Sequence, residues 1–118
     1  MFFFDKDERL KKKKDFNTVF EIGKEIILRN YKIIYKYNNL DRSRLGIIAT
    51  KKIGHSVKRN FEKRVVRESF RLHKYLIKKT IDVVVIPFKT NVSPKLRRKE
   101  IDSFFLNIQS NVNEQNNN

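Results

Sequence analysis

The chain has no cysteine, so disulfides and thiolate metal sites are unavailable to it. Acid is scarce as well: 13 Asp and Glu stand against 28 Lys and Arg, a formal net charge of +15 over 118 residues. Such an imbalance costs solubility or stability unless a polyanion neutralises it, which leaves RNA, DNA and an anionic membrane surface as candidate partners. Long apolar runs are missing too. The longest, Ile81 to Phe88, is interrupted by Asp82 and Pro87 and falls far short of a bilayer span, so it reads as a buried strand and argues against a membrane partner. The opening Met1-Phe2-Phe3-Phe4 has no positive region before it and is followed at once by Asp5, Asp7 and Glu8, unlike a signal peptide, and a cytoplasmic protein is the default expectation. No P-loop, Rossmann glycine pattern, zinc-finger spacing or internal repeat is present. Both histidines are isolated and the acids are scattered, so no catalytic residue and no protein-bound metal is expected.

What is present is a dense cationic run with helical order. From Lys58-Arg59-Asn60-Phe61 to Arg67-Glu68, apolar and basic residues alternate at helical spacing. Val57, Phe61, Val65, Leu72 and Leu76 project to one side, which reads as the core face; Lys63, Arg67, Arg71, Lys74 and Lys78 form a stripe on the other. Between Lys58 and Lys79 only Glu62 and Glu68 are acidic, so repulsion along the stripe is largely uncompensated and an external polyanion would relieve it. Arginine suits phosphate through its planar fork and lysine through a movable point charge, while Asn60 can bond sugar or base edges or cap its neighbours.

The length fits one domain, with residues 1–110 as its body and 111–118, which lack an apolar face, as a disordered tail. Asp15 reads as the cap of a short helix presenting Phe16, Val19 and Phe20, and Gly23 as its end. All three apolar residues suit a core; alternatively, one phenylalanine stays exposed as a platform for a base. Alternation over Tyr31 to Tyr37 predicts a strand with a basic opposite face, and Arg44 to Thr50 a second strand, paired antiparallel with the first across the turn-rich Asn38 to Ser43. Lys51 to Ser56 connects strand to helix, with Gly54 free to take backbone angles closed to other residues and His55 or Ser56 as cap. The basic helix is expected to run to about Lys79, Ile81 to Ile86 to lie centrally in the sheet, and Ser93-Pro94 to open a last helix with Ile101, Phe104, Phe105 and Ile108 inward. His73 and Asp82 take structural roles, Asp82 at the start of a strand or in an ion pair. The order implies an α+β sandwich, and general rules make its strand–helix–strand crossover right-handed.

Taken together, several segments resemble the protein subunit of bacterial ribonuclease P across roughly residues 9–108: Arg9-Leu10-Lys11-Lys12, Asp15-Phe16, Val19-Phe20, Gly23, Arg44-Leu45-Gly46-Ile47, Lys51-Lys52-Ile53-Gly54, Val57 with Arg59-Asn60, Lys63-Arg64, Arg67-Glu68, Phe70-Arg71 and Asp82 to Val85. The resemblance implies a central mixed β-sheet with packed helices and a left-handed βαβ crossover, a topology shared with a ribosomal-protein domain. It implies a protein component of an endoribonuclease whose RNA subunit cleaves with bound Mg2+, the protein holding the 5′ leader of precursor tRNA and stabilising the complex. Its partners would be that catalytic RNA and precursor tRNA; no protein partner is identifiable. By position, Lys51, Lys52, Arg59, Asn60, Lys63, Arg64, Arg67 and Arg71 would face RNA, and Lys12, Phe16, Phe20 and Tyr35 the leader. Phe61 stands where the family often carries a second arginine, and the cleft tyrosine that the family carries in the first strand corresponds to Tyr35, or to Ile34 if no gap is allowed. A ribosomal-RNA-binding structural or assembly protein is the competing function, since charge does not separate the two.

Overall fold

The structure, a computed structural model, describes residues 6–116, with side chains from 7 to 108. The Met1–Phe4 segment lies outside these residues. Helix α1 (Lys13–Ile22) is followed by strands β1 (Lys24–Ile27), β2 (Tyr31–Tyr37) and β3 (Arg44–Ile47), helix α2 (Ser56–His73), strand β4 (Ile81–Pro87) and helix α3 (Pro94–Asn116). The sheet runs β1-β2-β4-β3, antiparallel except for the parallel β3–β4 pair that α2 connects. The fold is therefore an α+β sandwich on a mixed sheet. Helix α3 continues through Asn116, into the stretch the sequence assigns to a tail; Asn117 and Asn118 lie outside the described residues.

The sheet is covered on both faces, which explains the unbroken apolar character of β4. On one face Tyr31, Ile33, Tyr35, Val83 and Val85 join Val66 and Phe70 of α2 and Ile101, Phe104, Phe105 and Ile108 of α3. On the other, a smaller cluster of Leu10, Val19, Ile34 and Val84 lies under α1. The face of β2 read as basic is thus partly apolar: Ile34 is buried there.

Three expectations about pairing and burial need correction. First, β2 and β3 form no hairpin, because β4 lies between them. The Asn38–Ser43 link spends its polar groups on the start of β4: Asn38 N–H donates to the Thr80 carbonyl (3.2 Å), and the Ser43 hydroxyl accepts from Ile81 N–H (3.0 Å). β2 pairs instead with the unforeseen β1, a four-residue edge strand too short and too exposed to show alternation. Second, Asp15 does not cap α1; Lys12 is the flanking residue, and Asp15 sits in the first turn with its carboxylate 3.4 Å from Arg44 Nη1. Third, α2 stops at His73, tightens into a 3-10 turn over Lys74–Leu76 and lets Ile77 drop into the core, short of Lys79.

The inward face of α2 is also rotated by about one residue from the apolar projection. Val57 is 82% exposed, and Phe61, Leu72 and Leu76 are exposed as well, whereas Glu62, Val66, Ser69 and Phe70 are buried. Polar partners account for this. Glu62 forms a buried ion pair with Arg97 of α3 at 3.1 Å, the Ser69 hydroxyl bonds Asp102, and His73 Nδ1 lies 2.6 Å from the Ser69 carbonyl with its ring stacked on Phe105. A buried acid with a matched base occupies the place that hydropathy gives to Phe61.

Candidate nucleic-acid interface

The interface is organised around β3, the edge strand on the far side of β4. Its outer edge is covered by the lead-in to α1: Leu10 N–H donates to the Leu45 carbonyl at 3.0 Å, and Arg9 bridges Leu45 in parallel. This brings Arg9 against the sheet and Leu10 beneath α1. Val19 is then fully buried, Phe16 half-buried and Phe20 44% exposed, the two rings 6.4 Å apart and tilted by 40°.

Phe16 lies on Gly46. A Cβ at that position would come within 2.5 Å of the Phe16 ring, so the glycine is what lets the aromatic reach the floor of the groove. Glycine is equally required at the end of α1, where a Cβ on Gly23 would stand 2.3 Å from the Val19 carbonyl oxygen. Opposite Phe16, Lys63 and Arg67 of α2 and Arg9 complete a cleft of about 140 Å³ floored by Leu45, Gly46 and Ile47. Partial burial, and then the nearby Arg9 charge, hold the Arg67 guanidinium below its ordinary pKa. A phosphate in the cleft would relieve that repulsion.

A second concavity of about 420 Å³ opens at the start of α2, lined by Lys51, Gly54, His55 and Arg59. A 3-10 turn over Lys51–Ile53 shapes it, with Thr50 Oγ1 accepting from Lys52 N–H (3.3 Å) and Ile53 buried as the anchor. Gly54 takes φ 140, in the region that other residues avoid, as the sequence leads one to expect. His55 precedes α2 without a side-chain capping bond.

The remaining cations divide. Lys52 and Arg64 are exposed, as is the neutral Asn60 between them, whereas Arg71 bonds Glu68. Lys12 is exposed, but it borders a different cleft of mixed charge with Asp7, Asp15, Asp41, Arg42 and Arg44. Tyr35 does not join the phenylalanines. Side chains alternate along β2, so Tyr35 is buried on the α2–α3 face, edge-on to Phe104 at 6.2 Å, and burial pushes its hydroxyl pKa up. Ile34 occupies the α1 side instead.

Arg9 and Gly46 join the site although neither is among the residues that the resemblance assigns to RNA. Both stand in segments that carry the family resemblance, and an isolated glycine within an apolar strand is a further signal for Gly46; neither signal says that the two residues meet Phe16. Asp82 does have the pairing role anticipated: Arg44 grips both its oxygens at 2.8 and 2.7 Å, and Asn38 donates at 2.8 Å. Burial opposes its ionisation, but these bonds outweigh burial and hold its carboxyl below the usual range. Arg44 thereby ties β4 to Asp15 of α1, fixing the helix that carries the two rings. Among the described residues no three His, Cys, Asp or Glu are grouped to hold a metal, and no helix is long and apolar enough to cross a membrane.

Comparison with known proteins adds an independent line. The family described as Ribonuclease P matches residues 4–109. The ribonuclease P protein component of Thermotoga petrophila is 44% identical over 86 residues, covering 73% of this chain and 74% of that one. That of Staphylococcus haemolyticus is 45% identical over 71 residues, covering 59% and 61%. Among solved structures, the RNase P protein of Staphylococcus aureus superposes with a TM-score of 0.75 at 32% identity, covering 86% of this chain and 94% of that one. The RNase P protein of Thermotoga maritima gives 0.62 at 35% identity, covering 92% and 94%. With its groove, its cationic helix and these matches in hand, the chain belongs to the ribonuclease P protein family.

Proposed function

We propose that this chain is the RNA-binding subunit of a bacterial ribonuclease P, pairing with a catalytic RNA and holding the 5′ leader of precursor tRNA while the RNA cleaves the phosphodiester. The observation that carries this reading is the placement of Phe16 and Phe20 on one side of α1, beside a cleft walled by Arg9, Lys63 and Arg67. Aromatic faces that accept any base next to cations that track a backbone suit a single strand of varied sequence. The cations beyond the cleft, Lys51, Lys52, Arg59, Asn60 with them, Arg64 and Arg71, would meet the catalytic RNA.

The carboxylates near these surfaces are committed to cations: Asp15 and Asp82 to Arg44, Glu62 to Arg97, Glu68 to Arg71. Magnesium on this reading is held by RNA phosphates, and the protein contributes charge neutralisation and substrate positioning. A cytoplasmic location follows from the proposed substrate. The test is reconstitution with a bacterial ribonuclease P RNA at low magnesium, following removal of the leader from precursor tRNA. Faster cleavage and tighter precursor binding are expected; no gain with several compatible RNAs would end the proposal.

A further inference from the structure

The rotation of α2 leaves an aromatic ring partly uncovered on its most cationic stretch. Phe61 is 37% exposed and belongs to neither core cluster, and among the described residues its ring makes no aromatic or cation–π contact. Its neighbours one turn away on the helix are Val57 and Lys58 on one side and Arg64 and Val65 on the other. Arg64 is exposed, and the Lys58 side chain remains half-exposed although its ammonium lies 3.7 Å from buried Glu62. Both acids of this helix are already engaged, Glu62 with Arg97 and Glu68 with Arg71, so the field around the ring is positive.

Position on the helix separates this ring from the groove. At about 100° per residue, Phe61 and Lys63 stand roughly 200° apart around the axis. A strand lying between Phe16 and Lys63 therefore does not reach Phe61. The charge also selects the occupant: a second copy of a chain carrying +15 would be repelled, whereas a nucleotide offers a π face and an anion within the span of one residue.

We infer that Phe61 stacks on an unpaired nucleobase of the catalytic RNA, with Arg64 and Lys58 taking the flanking phosphates, as a contact separate from the leader groove. The inference rests on the reading of the chain as a ribonuclease P subunit. The chain has no tryptophan, so Phe61→Trp supplies a single indole reporter at the site. Its emission is followed while a bacterial ribonuclease P RNA is titrated without substrate, and separately while precursor tRNA is titrated alone, with gel shifts run in parallel and thermal melts on every variant. Quenching that saturates with the catalytic RNA, and is absent with precursor tRNA, is the expected result. Phe61→Tyr should bind within about twofold of the parent, and Phe61→Leu, apolar but ringless, at least about fivefold more weakly with an unchanged melt.

Unchanged emission while the gel shift reports bound RNA, or parental affinity in Phe61→Leu, overturns the stacking contact and leaves the functional reading intact. A change in emission on concentrating the protein without RNA assigns the face to a second copy and likewise overturns it. Failure of the parent chain itself to bind the RNA overturns the functional reading, and the inference with it.

Discussion

At the scale of single residues, Asp82 and the two phenylalanines of α1 carry separable consequences. The native carboxyl of Asp82 is held below its ordinary value, so its contribution to stability is present above the unfolded carboxylate range and is lost as pH falls through the lowered native value. Urea unfolding midpoints should therefore drop on acidification below about pH 4, and Asp82→Asn should remove that part of the slope. At neutral pH the same variant removes the closer of Arg44's two counter-charges, leaving Asp15 at 3.4 Å, and should cost about 2 kcal/mol. The phenylalanines divide by burial. Phe20→Ala should change unfolding free energy by no more than about 0.5 kcal/mol, yet weaken precursor tRNA by about 1 to 3 kcal/mol with mature tRNA unaffected. Phe16→Ala, which uncovers Gly46, should cost about 1 to 2 kcal/mol of stability, below the 3 to 5 kcal/mol typical of a fully buried phenylalanine. Equal weakening of precursor and mature tRNA would return both rings to a purely structural role.

At the scale of elements, α2 is the place to test the electrostatic assignment. Changing Arg59, Lys63 and Arg67 together to Ala removes three charges. Lys63 and Arg67 flank the cleft, whereas Arg59 shares the face of Glu62 and Val66 with its Nε buried, so circular dichroism should be preserved and melting lowered only modestly while RNA affinity falls. If the parent neutralises about six phosphates, log affinity should decline against log salt with a slope of roughly −4 to −5, and the variant's slope should be shallower by roughly 2 to 3. Elements with one dominant signal were legible beforehand: β2 through alternation, β4 through continuous apolar residues, α3 through Ser93-Pro94 and a single inward face, and the Gly54 turn. The failures share a cause. Burial in α2 is set by Glu62, Ser69 and His73, polar residues whose partners on α3 or elsewhere on α2 are invisible to hydropathy, so the apolar stripe pointed to the wrong flank. β1 leaves no sequence signal and β2 and β3 do not pair, because pairing depends on which strand can bury both faces, a property of the assembled sheet. Within the site, the ring positions and the Gly54 turn could be read from the sequence; the apposition of Arg9, Gly46 and Phe16 required the third dimension.

At the scale of the whole molecule, the two sides of the sheet are unequal. The α2–α3 side holds most of the buried large side chains, whereas α1 is secured by Leu10, Val19, Ile34 and Val84, with the Arg44 bridge to Asp15 beside them. The helix proposed to meet the variable substrate thus rests on the thinner layer. Opening free energies should follow that inequality. In native-state hydrogen exchange, amides of α1 should exchange through a sub-global opening well below the energy needed to expose β4, with the Arg9–Leu45 edge released in the same unit. Uniform protection across α1 and β4 would contradict this. A separately yielding α1 would let the groove adjust its width to successive leader nucleotides while β4, α2 and α3 stay closed, so that adaptation to varied substrates costs only local opening and leaves the surface bound to RNA undisturbed.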